Sequence, residues 1–235
     1  MSSMTVAFSI EDRARATGGT SNAGALYDAV RHVIDERHPE RGVLVDVGCG
    51  LGRLHAAMGD TFERYIGVDA LRYDGYPAGP TVDFRRVDLD SARIDLPDGC
   101  ADIVCSLETI EHVENERALM RELVRLARPG GLVVVTTPNQ ISILSKLCLV
   151  LKNEFVHFQE RPGLYPSHLS ALLPIDLLRL ARENGLVDAE ISYSGEGRMP
   201  LIAGHWPRWL ATRSGWRGRA FSDNVLLCAR RAARP

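Results

Sequence analysis

The sequence predicts an α/β fold built on a mostly parallel β-sheet with helices on both faces, and two patterns carry this prediction. Apolar runs such as LVVVTTP alternate along the chain with segments of helical periodicity. Strands that are apolar on both faces and are separated by helices are typical of parallel sheets buried on both sides. The first apolar run, VLVDV, leads directly into a glycine-rich turn that opens a helix, as in α/β proteins that bind ligands at strand ends.

Each predicted element follows from the spacing of its apolar residues and from its end signals. Helices are predicted where apolar residues recur three and four positions apart, and strands where they run together or alternate. The segment between Asp69 and Val82 carries two glycines and two prolines, so it is predicted to be a loop. The predicted helices are 23–37, 50–58, 114–127 and 173–186, and the predicted strands are 43–47, 65–70, 82–89, 101–107, 132–138, 188–195 and 224–231.

The composition is that of one globular domain: 235 residues, 45% hydrophobic and 25% charged. Residues 1–22 are predicted to be a flexible N-terminal arm, and residues 23–235 a single domain with a lid-like insertion at about 140–168. The net charge of −2 disfavours a nucleic-acid partner. Five cysteines without CxxC spacing indicate reduced thiols, and neither a leader peptide nor a membrane span is evident, so the chain is predicted to be cytoplasmic.

The turn after the first strand has the pattern Asp46-x-Gly48-x-Gly50-x-Gly52. A glycine-rich turn between a strand and a helix brings backbone N–H groups close to a ligand, and the helix N-terminus adds partial positive charge. A carboxylate two residues before the first glycine would repel a pyrophosphate, whereas it would attract an amino group. The turn therefore points away from a nicotinamide dinucleotide and toward a ligand with an amino-acid end.

Two further acids stand where predicted strands end. Asp69 ends the second strand, where a carboxylate can accept hydrogen bonds from both hydroxyls of a ribose. Asp88 ends the third strand, where it can accept a hydrogen bond from the exocyclic amine of adenine. Because the carboxyl ends of parallel strands meet at one edge of the sheet, Asp46, Asp69 and Asp88 are expected to line one crevice.

Four motifs in order, VDVGCGLG, GVDA, LPDGCADIVCSLETIEHV and RLARPGGLVVVTTPN, resemble those of the class I S-adenosylmethionine-dependent methyltransferases, nearest to the ubiquinone-pathway O-methyltransferase-like group. The resemblance implies a Rossmann-like, doubly wound, seven-stranded sheet that is mostly parallel with an antiparallel last strand. It also implies S-adenosylmethionine as the methyl donor and S-adenosylhomocysteine as the product. The implied donor-binding residues are Asp46, Gly48, Cys49, Gly50 and Gly52 for the amino-acid end, Asp69 and Ala70 for the ribose, Asp88 and Leu89 for the adenine, and Leu107 beside the sulfonium.

The fourth strand runs into the segment Glu108–His112, ETIEH, in which residues three and four apart share a helical face. This segment resembles the ExxEH motif of two methyltransferase groups, the ubiquinone-pathway enzymes and those that methylate the 2′-hydroxyl at the 3′ end of small RNAs. In the RNA enzymes the motif implies a divalent metal held together with a distant histidine. His168, and after it His157, are the candidates for that histidine here.

Two interpretations of this segment stay open. In the first, which the sequence favours, no metal is present and His112 acts as a general base on a substrate hydroxyl, with Glu108 and His168 as further catalytic candidates. In the second, Glu108, Glu111, His112 and His168 hold a divalent cation such as Mg²⁺, Mn²⁺ or Zn²⁺.

The end of the fourth strand also bears on the acceptor. It reads Cys105-Ser106-Leu107-Glu108 and lacks the Asn-Pro-Pro-Tyr pattern of enzymes that methylate amino groups in nucleic acids. This favours a hydroxyl oxygen as the nucleophile, on a small molecule that is lipid-like or derived from a saccharide. The alternatives are a metal-dependent RNA 2′-O-methyltransferase and a donor-binding module without catalysis.

The predicted lid includes an amphipathic segment at 141–152. Leu144, Leu147, Cys148 and Leu151 are expected on one helical face. This face is either a hydrophobic lid or a membrane-surface element for a lipid-like acceptor, or else a surface that packs on the core or forms a homodimer contact.

Overall fold

The computed structural model describes residues 10–17, 24–38, 40–91, 93–159, 168–207 and 219–233. Within these residues, seven strands form one sheet in the order β3-β2-β1-β4-β5-β7-β6. The last strand in the chain, β7, runs antiparallel to both of its neighbours, and the other pairs are parallel, which confirms the predicted fold class. The strands are β1 (Val43–Val47), β2 (Arg64–Asp69), β3 (Val82–Arg86), β4 (Ala101–Leu107), β5 (Ala127–Pro138), β6 (Leu186–Tyr193) and β7 (Asn224–Arg231).

Helices cover both faces of the sheet. The described helices are α1 (Ile10–Thr17), α2 (Gly24–Arg37), α3 (Arg53–Met58), α4 (Glu116–Leu126), α5 (Ile143–Lys152) and α6 (Pro174–Glu183). On one face α2 packs through residues such as Leu26 and Val30, and on the other α4 packs through Met120 and Leu123. Each of these side chains is fully buried, which stabilises the fold by about 1.5–3 kcal/mol per residue. The side chain of Asn115 caps α4 by accepting a hydrogen bond from the Ala118 N–H at 2.9 Å.

Part of the segment predicted as a flexible arm is helical. No helix is predicted from the sequence in residues 1–22, whereas the structure places α1 at residues 10–17. The Tyr73 hydroxyl donates a hydrogen bond to the Ala14 carbonyl at 2.6 Å, and Glu11 forms an ion pair with Arg86. These contacts with distant residues tie α1 to the sheet, and local periodicity could not reveal them.

Several predicted boundaries shift by a few residues. Strand β3 ends at Arg86 instead of Leu89, and β5 begins at Ala127 instead of Leu132. The pairing of β4 with β5 changes register just after Ala101, and this irregularity accommodates Pro129, which has no N–H to donate. The segment between β2 and β3 contains no helix, as predicted. None of the helices in the described residues is long and apolar enough to span a bilayer.

Candidate functional site

Three predicted donor residues lie on one face of the sheet, at its carboxyl edge. Asp46 of β1 is in register with Gly67 of β2 and with Cys105 of β4. Asp69 lies two residues after Gly67, and Leu107 lies two residues after Cys105. Because side chains alternate along a strand, both project to the same face as Asp46. This is the face that α2 and α3 cover.

Asp46 is buried, with 2% of its surface exposed. Its Oδ2 accepts a hydrogen bond from the Tyr65 hydroxyl at 2.5 Å. The pKa of Asp46 rises to about 7, mainly because burial disfavours the charged form; the hydrogen bond from Tyr65 opposes this rise, and the charge of Asp69 adds to it. The carboxylate that precedes the glycine turn therefore changes its charge near neutral pH.

The glycine turn is held against β2 and against two loops. The Gly48 N–H donates a hydrogen bond to the Val68 carbonyl at 2.8 Å. Gly48 has a φ of 80°, and a Cβ at this position would lie 2.1 Å from Thr109 Oγ1. Gly52 has a φ of 73°, and its Cβ would lie 2.5 Å from Pro77 Cδ. The packing of the chain itself thus requires glycine at both positions.

The Asp69 carboxylate is hydrogen-bonded to the same glycine turn. Its Oδ2 accepts a hydrogen bond from the Gly50 N–H at 2.8 Å, and its Oδ1 accepts one from the Leu71 N–H at 3.4 Å. Burial raises the pKa of Asp69, and the backbone donors oppose this rise. Ala70 follows and is half-buried. The residues predicted for the ribose and for the amino-acid end therefore meet in one hydrogen-bonded turn.

Asp88 lies beyond its strand, which corrects the prediction that it ends β3. The pairing of β3 with β2 stops at Arg86, and the Asp88 carboxylate accepts hydrogen bonds from the Asp90 N–H (3.1 Å) and the Ser91 hydroxyl (2.7 Å). Asp88 therefore stabilises the turn that carries Leu89, whose side chain packs against the core under α4.

Cys49 is the remaining predicted donor residue. Its thiol is buried beneath the glycine turn, in the core on the face of the sheet that α2 and α3 cover. Burial raises the pKa of this thiol well above its ordinary value, and the charges of Asp46 and Asp69 add to the rise. The side chain of Cys49 is thus a packed, protonated group.

Glu108 follows β4 directly and is fixed to the sheet. Its φ of 50° is uncommon for a residue with a side chain. Thr136 Oγ1 donates a hydrogen bond to Glu108 Oε1 at 2.9 Å, and Asn224 Nδ2 donates one to Oε2 at 2.8 Å. Burial raises the pKa of Glu108 to about 7, and these two hydrogen bonds oppose the rise. Glu108 therefore ties together the ends of β4, β5 and β7.

Glu111, His112 and His168 come together, although His168 is far from the other two in sequence. One ligand atom from each lies within 4.8 Å of the others, and the two imidazole rings stack with centroids 4.7 Å apart. The Glu111 side chain is fully buried, and neither of its carboxylate oxygens has a hydrogen-bond partner among the described residues. Burial raises the pKa of Glu111 well above its ordinary value, and the charge of Glu108 adds to this rise.

This cluster has the donor set of a divalent-cation site. A buried carboxylate that accepts no hydrogen bond is costly, and a cation shared with two imidazoles would satisfy it. Within the described residues, His112 Nε2 lies 3.9 Å from Glu111 Oε1. Of the four ligands in the metal interpretation, Glu111, His112 and His168 come together, whereas the Glu108 carboxylate accepts hydrogen bonds from Thr136 and Asn224. The same arrangement also leaves the His112 imidazole at the end of β4, where the metal-free interpretation requires it.

The lid-like insertion contributes His157 to this surface. Arg198 donates a hydrogen bond to His157 Nε2 at 2.8 Å, and the ring of His157 lies edge-on to His168 with centroids 6.3 Å apart. Burial lowers the pKa of His157 to about 4, so this imidazole is neutral. The insertion residues 160–167 lie outside the described part of the chain.

Helix α5 buries a polar side chain and exposes part of the apolar face predicted for the lid. In α5 the fully buried side chain is Ser145, which is not part of the predicted apolar face, and Leu151, which is part of it, is exposed. The Ser145 hydroxyl lies 3.5 Å from Gln140 Oε1, so the first turn of α5 is anchored by polar contacts while its last turn projects outward. The exposed apolar side chains of that last turn are Leu149, Val150 and Leu151.

Four residues of this edge were missed by sequence reasoning: Tyr65, Thr109, Thr136 and Asn224. Tyr65 carried a signal, because a strand residue four positions before Asp69 must share its face. Thr136 and Asn224 carried none, since they belong to strands whose pairing with β4 and β5 cannot be read from local sequence.

Known proteins with similar sequences are methyltransferases. Residues 21–190 match the profile of a family described as Methyltransferase domain. A ubiquinone biosynthesis O-methyltransferase of Thiobacillus denitrificans is 31% identical over 167 residues, which are 68% of this chain and 71% of that protein. The matches to two further relatives, from Mycolicibacterium smegmatis and Bordetella bronchiseptica, span 45% and 61% of those proteins.

Solved structures share the fold at low sequence identity. A chain from the complex of the Haloferax volcanii Trm112 methyltransferase activator with a methyltransferase superposes with a TM-score of 0.64 at 17% identity, over 97% of this chain and 99% of that one. A Burkholderia thailandensis 1,6-didemethyltoxoflavin-N1-methyltransferase, solved with S-adenosylhomocysteine, gives a TM-score of 0.57 at 14% identity. The superposition covers 90% of this chain and 80% of that one. With the family match over most of its length, the chain belongs to the class I S-adenosylmethionine-dependent methyltransferases.

Proposed function

We propose that this methyltransferase methylates a hydroxyl oxygen of a small molecule. The observation that supports the proposal best is the cluster of Glu111, His112 and His168, which lies just beyond Leu107 at the end of β4. An oxygen nucleophile must lose its proton as it takes up the methyl group, and imidazole is the side chain best suited to accept a proton near neutral pH.

In this proposal the donor lies along the edge formed by the glycine turn and Asp69. Asp46 attracts its amino group, Asp69 accepts hydrogen bonds from its ribose, and the turn from Asp88 to Leu89 borders its adenine. Bound S-adenosylmethionine supplies a methyl group already activated by the sulfonium. The contribution of the protein is therefore to align the acceptor and to manage its proton.

The proton goes to His112 in the metal-free form of the reaction. The acceptor oxygen forms a bond to the methyl carbon, the bond from that carbon to sulfur breaks with its electrons left on sulfur, and the hydroxyl proton moves to the imidazole. His168 stacks on His112 and fixes the orientation of its ring. General-base catalysis of this kind contributes about 10²- to 10⁴-fold in rate.

A metal-assisted form of the reaction is the second candidate, and the buried Glu111 carboxylate, which accepts no hydrogen bond from the described residues, favours it. Glu111, His112 and His168 would hold the cation, and a divalent cation lowers the pKa of a hydroxyl bound to it. The uptake of Zn²⁺ or Mn²⁺, measured by calorimetry on the chelator-treated protein, would support this form if it is stoichiometric and is lost in Glu111→Gln.

The exposed last turn of α5 supports a lipid-like acceptor. Leu149, Val150 and Leu151 present an apolar surface next to the exposed Lys152, which suits contact with an anionic membrane surface. The relative from Thiobacillus denitrificans is named for ubiquinone biosynthesis, which is consistent with an acceptor of this kind.

The decisive experiment measures methyl transfer from labelled S-adenosylmethionine to a panel of phenols, hydroxylated lipids, saccharide derivatives and a short single-stranded RNA. We expect transfer to one of the small-molecule classes, with a loss of about 10²- to 10⁴-fold in kcat in His112→Ala. His32→Ala is the matched control, because His32 lies exposed on α2. Transfer to the RNA alone, abolished by EDTA, would contradict the proposal, and donor binding without transfer to any acceptor would indicate a non-catalytic module.

A further inference from the structure

Tyr65 makes an unusual contact at the donor edge. Its hydroxyl donates to Asp46 Oδ2 at 2.5 Å, and both side chains are 2% exposed. The ring of Tyr65 is held in place by an edge-on contact with His55 of α3, with centroids 4.9 Å apart. The hydroxyl therefore reaches Asp46 from below the glycine turn, on the side away from the crevice mouth.

Asp46 has few favourable electrostatic partners at this place. The titratable groups that face it are Asp69 at the end of β2, the thiols of Cys49 and Cys105, and the hydroxyls of Tyr65 and Tyr76. Asp69 repels a charged Asp46, and the two thiols are neutral and buried. Of these groups, the Tyr65 hydroxyl is the one that donates a hydrogen bond to the carboxylate, and hydrogen bonds to charged groups are the strong ones.

We propose that Tyr65 is a positioning residue for the methyl donor: its hydroxyl fixes Asp46 Oδ2 and leaves the other carboxylate oxygen, Oδ1, for the amino group of S-adenosylmethionine. This inference rests on the donor site of the proposed function. A single donated bond both sets the side-chain rotamer of Asp46 and favours its ionised form, which is the form that attracts an amino group.

The test compares two ligands that differ in their amino-acid end. S-adenosylhomocysteine carries the amino group, whereas 5′-methylthioadenosine has the same adenosine part without it. In Tyr65→Phe we expect S-adenosylhomocysteine to bind roughly tenfold to a hundredfold more weakly by calorimetry, because a hydrogen bond to a charged group is lost. The affinity for 5′-methylthioadenosine should stay within about twofold, since that ligand makes no use of Asp46.

The pH dependence gives a second readout that a packing role would not move. Removing the donated bond raises the pKa of Asp46, so the pH at which S-adenosylhomocysteine binding is half developed should move upward from the wild-type value near 7. The loss of affinity in Tyr65→Phe should therefore shrink as pH rises. In an Asp46→Asn background, the Tyr65→Phe substitution should have no further effect on this ligand.

Tyr193→Phe is the matched control, because Tyr193 lies on β6 and packs on the opposite face of the sheet. Equal losses for both ligands in Tyr65→Phe, or an unchanged affinity for S-adenosylhomocysteine, would overturn the positioning role. If the wild-type protein bound neither S-adenosylhomocysteine nor 5′-methylthioadenosine, the donor site of the proposed function would fail, and this role would fail with it. Thermal unfolding of each variant establishes that it is folded.

Discussion

The two halves of the carboxyl edge are built differently. The donor half consists of the glycine turn with Asp46 and Asp69, and it is assembled from β1, β2 and the backbone between them. The acceptor half consists of residues 108–112 with His168, and its side chains are held by β5, β7 and the segment after the insertion. Local sequence therefore encodes the first half, whereas the second exists only once distant strands have paired.

The two halves meet at Gly48 and Thr109. The Thr109 side chain occupies the space that a Cβ on Gly48 would need, so the donor turn and the acceptor segment are packed directly against each other. The difference between the halves and their contact at this point lead to four predictions, ordered from the largest expected effect to the smallest.

The acceptor half should carry the chemistry and not the binding of the donor. In His112→Asn we expect kcat to fall by about 10²- to 10⁴-fold, because the proton acceptor is lost, while the dissociation constant for S-adenosylhomocysteine stays unchanged. Steady-state kinetics together with calorimetry measure both quantities. A weakening of donor binding comparable to the loss in kcat would show that the two halves are not separate in function.

The donor half should carry a pH-dependent cost in stability. The pKa of Asp46 is raised from an ordinary value of 3.8 to about 7, so the stability associated with its neutral form is present below pH 4 and is lost as pH rises through 7. Relative to wild type, Asp46→Asn should gain about 4 kcal/mol in the free energy of unfolding between pH 4 and pH 7.5. Urea unfolding at several pH values tests this, and a constant difference between the two proteins would contradict it.

The contact between the halves should be visible in a double substitution. Gly48→Ala forces a side chain into the left-handed region and against Thr109, which we expect to lower the free energy of unfolding by about 2–3 kcal/mol. Adding Thr109→Gly removes the steric part and should restore about half of the loss, because the φ strain remains. If the double variant were as unstable as Gly48→Ala alone, Thr109 would not be the residue that requires glycine at position 48.

The exposed last turn of α5, outside both halves, should affect membrane contact without affecting stability. Val150→Glu should reduce co-sedimentation with anionic lipid vesicles about tenfold and change the free energy of unfolding by less than about 0.5 kcal/mol. Val187→Glu is the matched control, since Val187 is an exposed valine at the start of β6, where the opposite edge of the sheet lies. Equal vesicle binding by wild type and by both variants would remove the support for a membrane-bound acceptor.

Much of the donor half could be predicted because its signals are short-range. The alternation in β1 and β2 places Asp46 and Asp69 on one face, and the glycine spacing marks the turn between them. Asp88 was placed less well, since the end of β3 depends on where its pairing with β2 stops and not on its own apolar residues.

The sequence by itself determined the α/β class, the order of the motifs along the chain, and the acidic residues Asp46 and Asp69 of the donor half. These features follow from periodicity and from neighbours along the chain. Only the tertiary structure decided that Tyr65 binds Asp46, that Glu108 is engaged by Thr136 and Asn224, and that Glu111 lies buried beside His112 and His168 with no hydrogen-bond partner in the described part of the chain. The physical reason is that hydrogen bonds and burial depend on which side chains contact each other across the sheet. Those contacts are determined by the pairing of strands that are far apart in sequence.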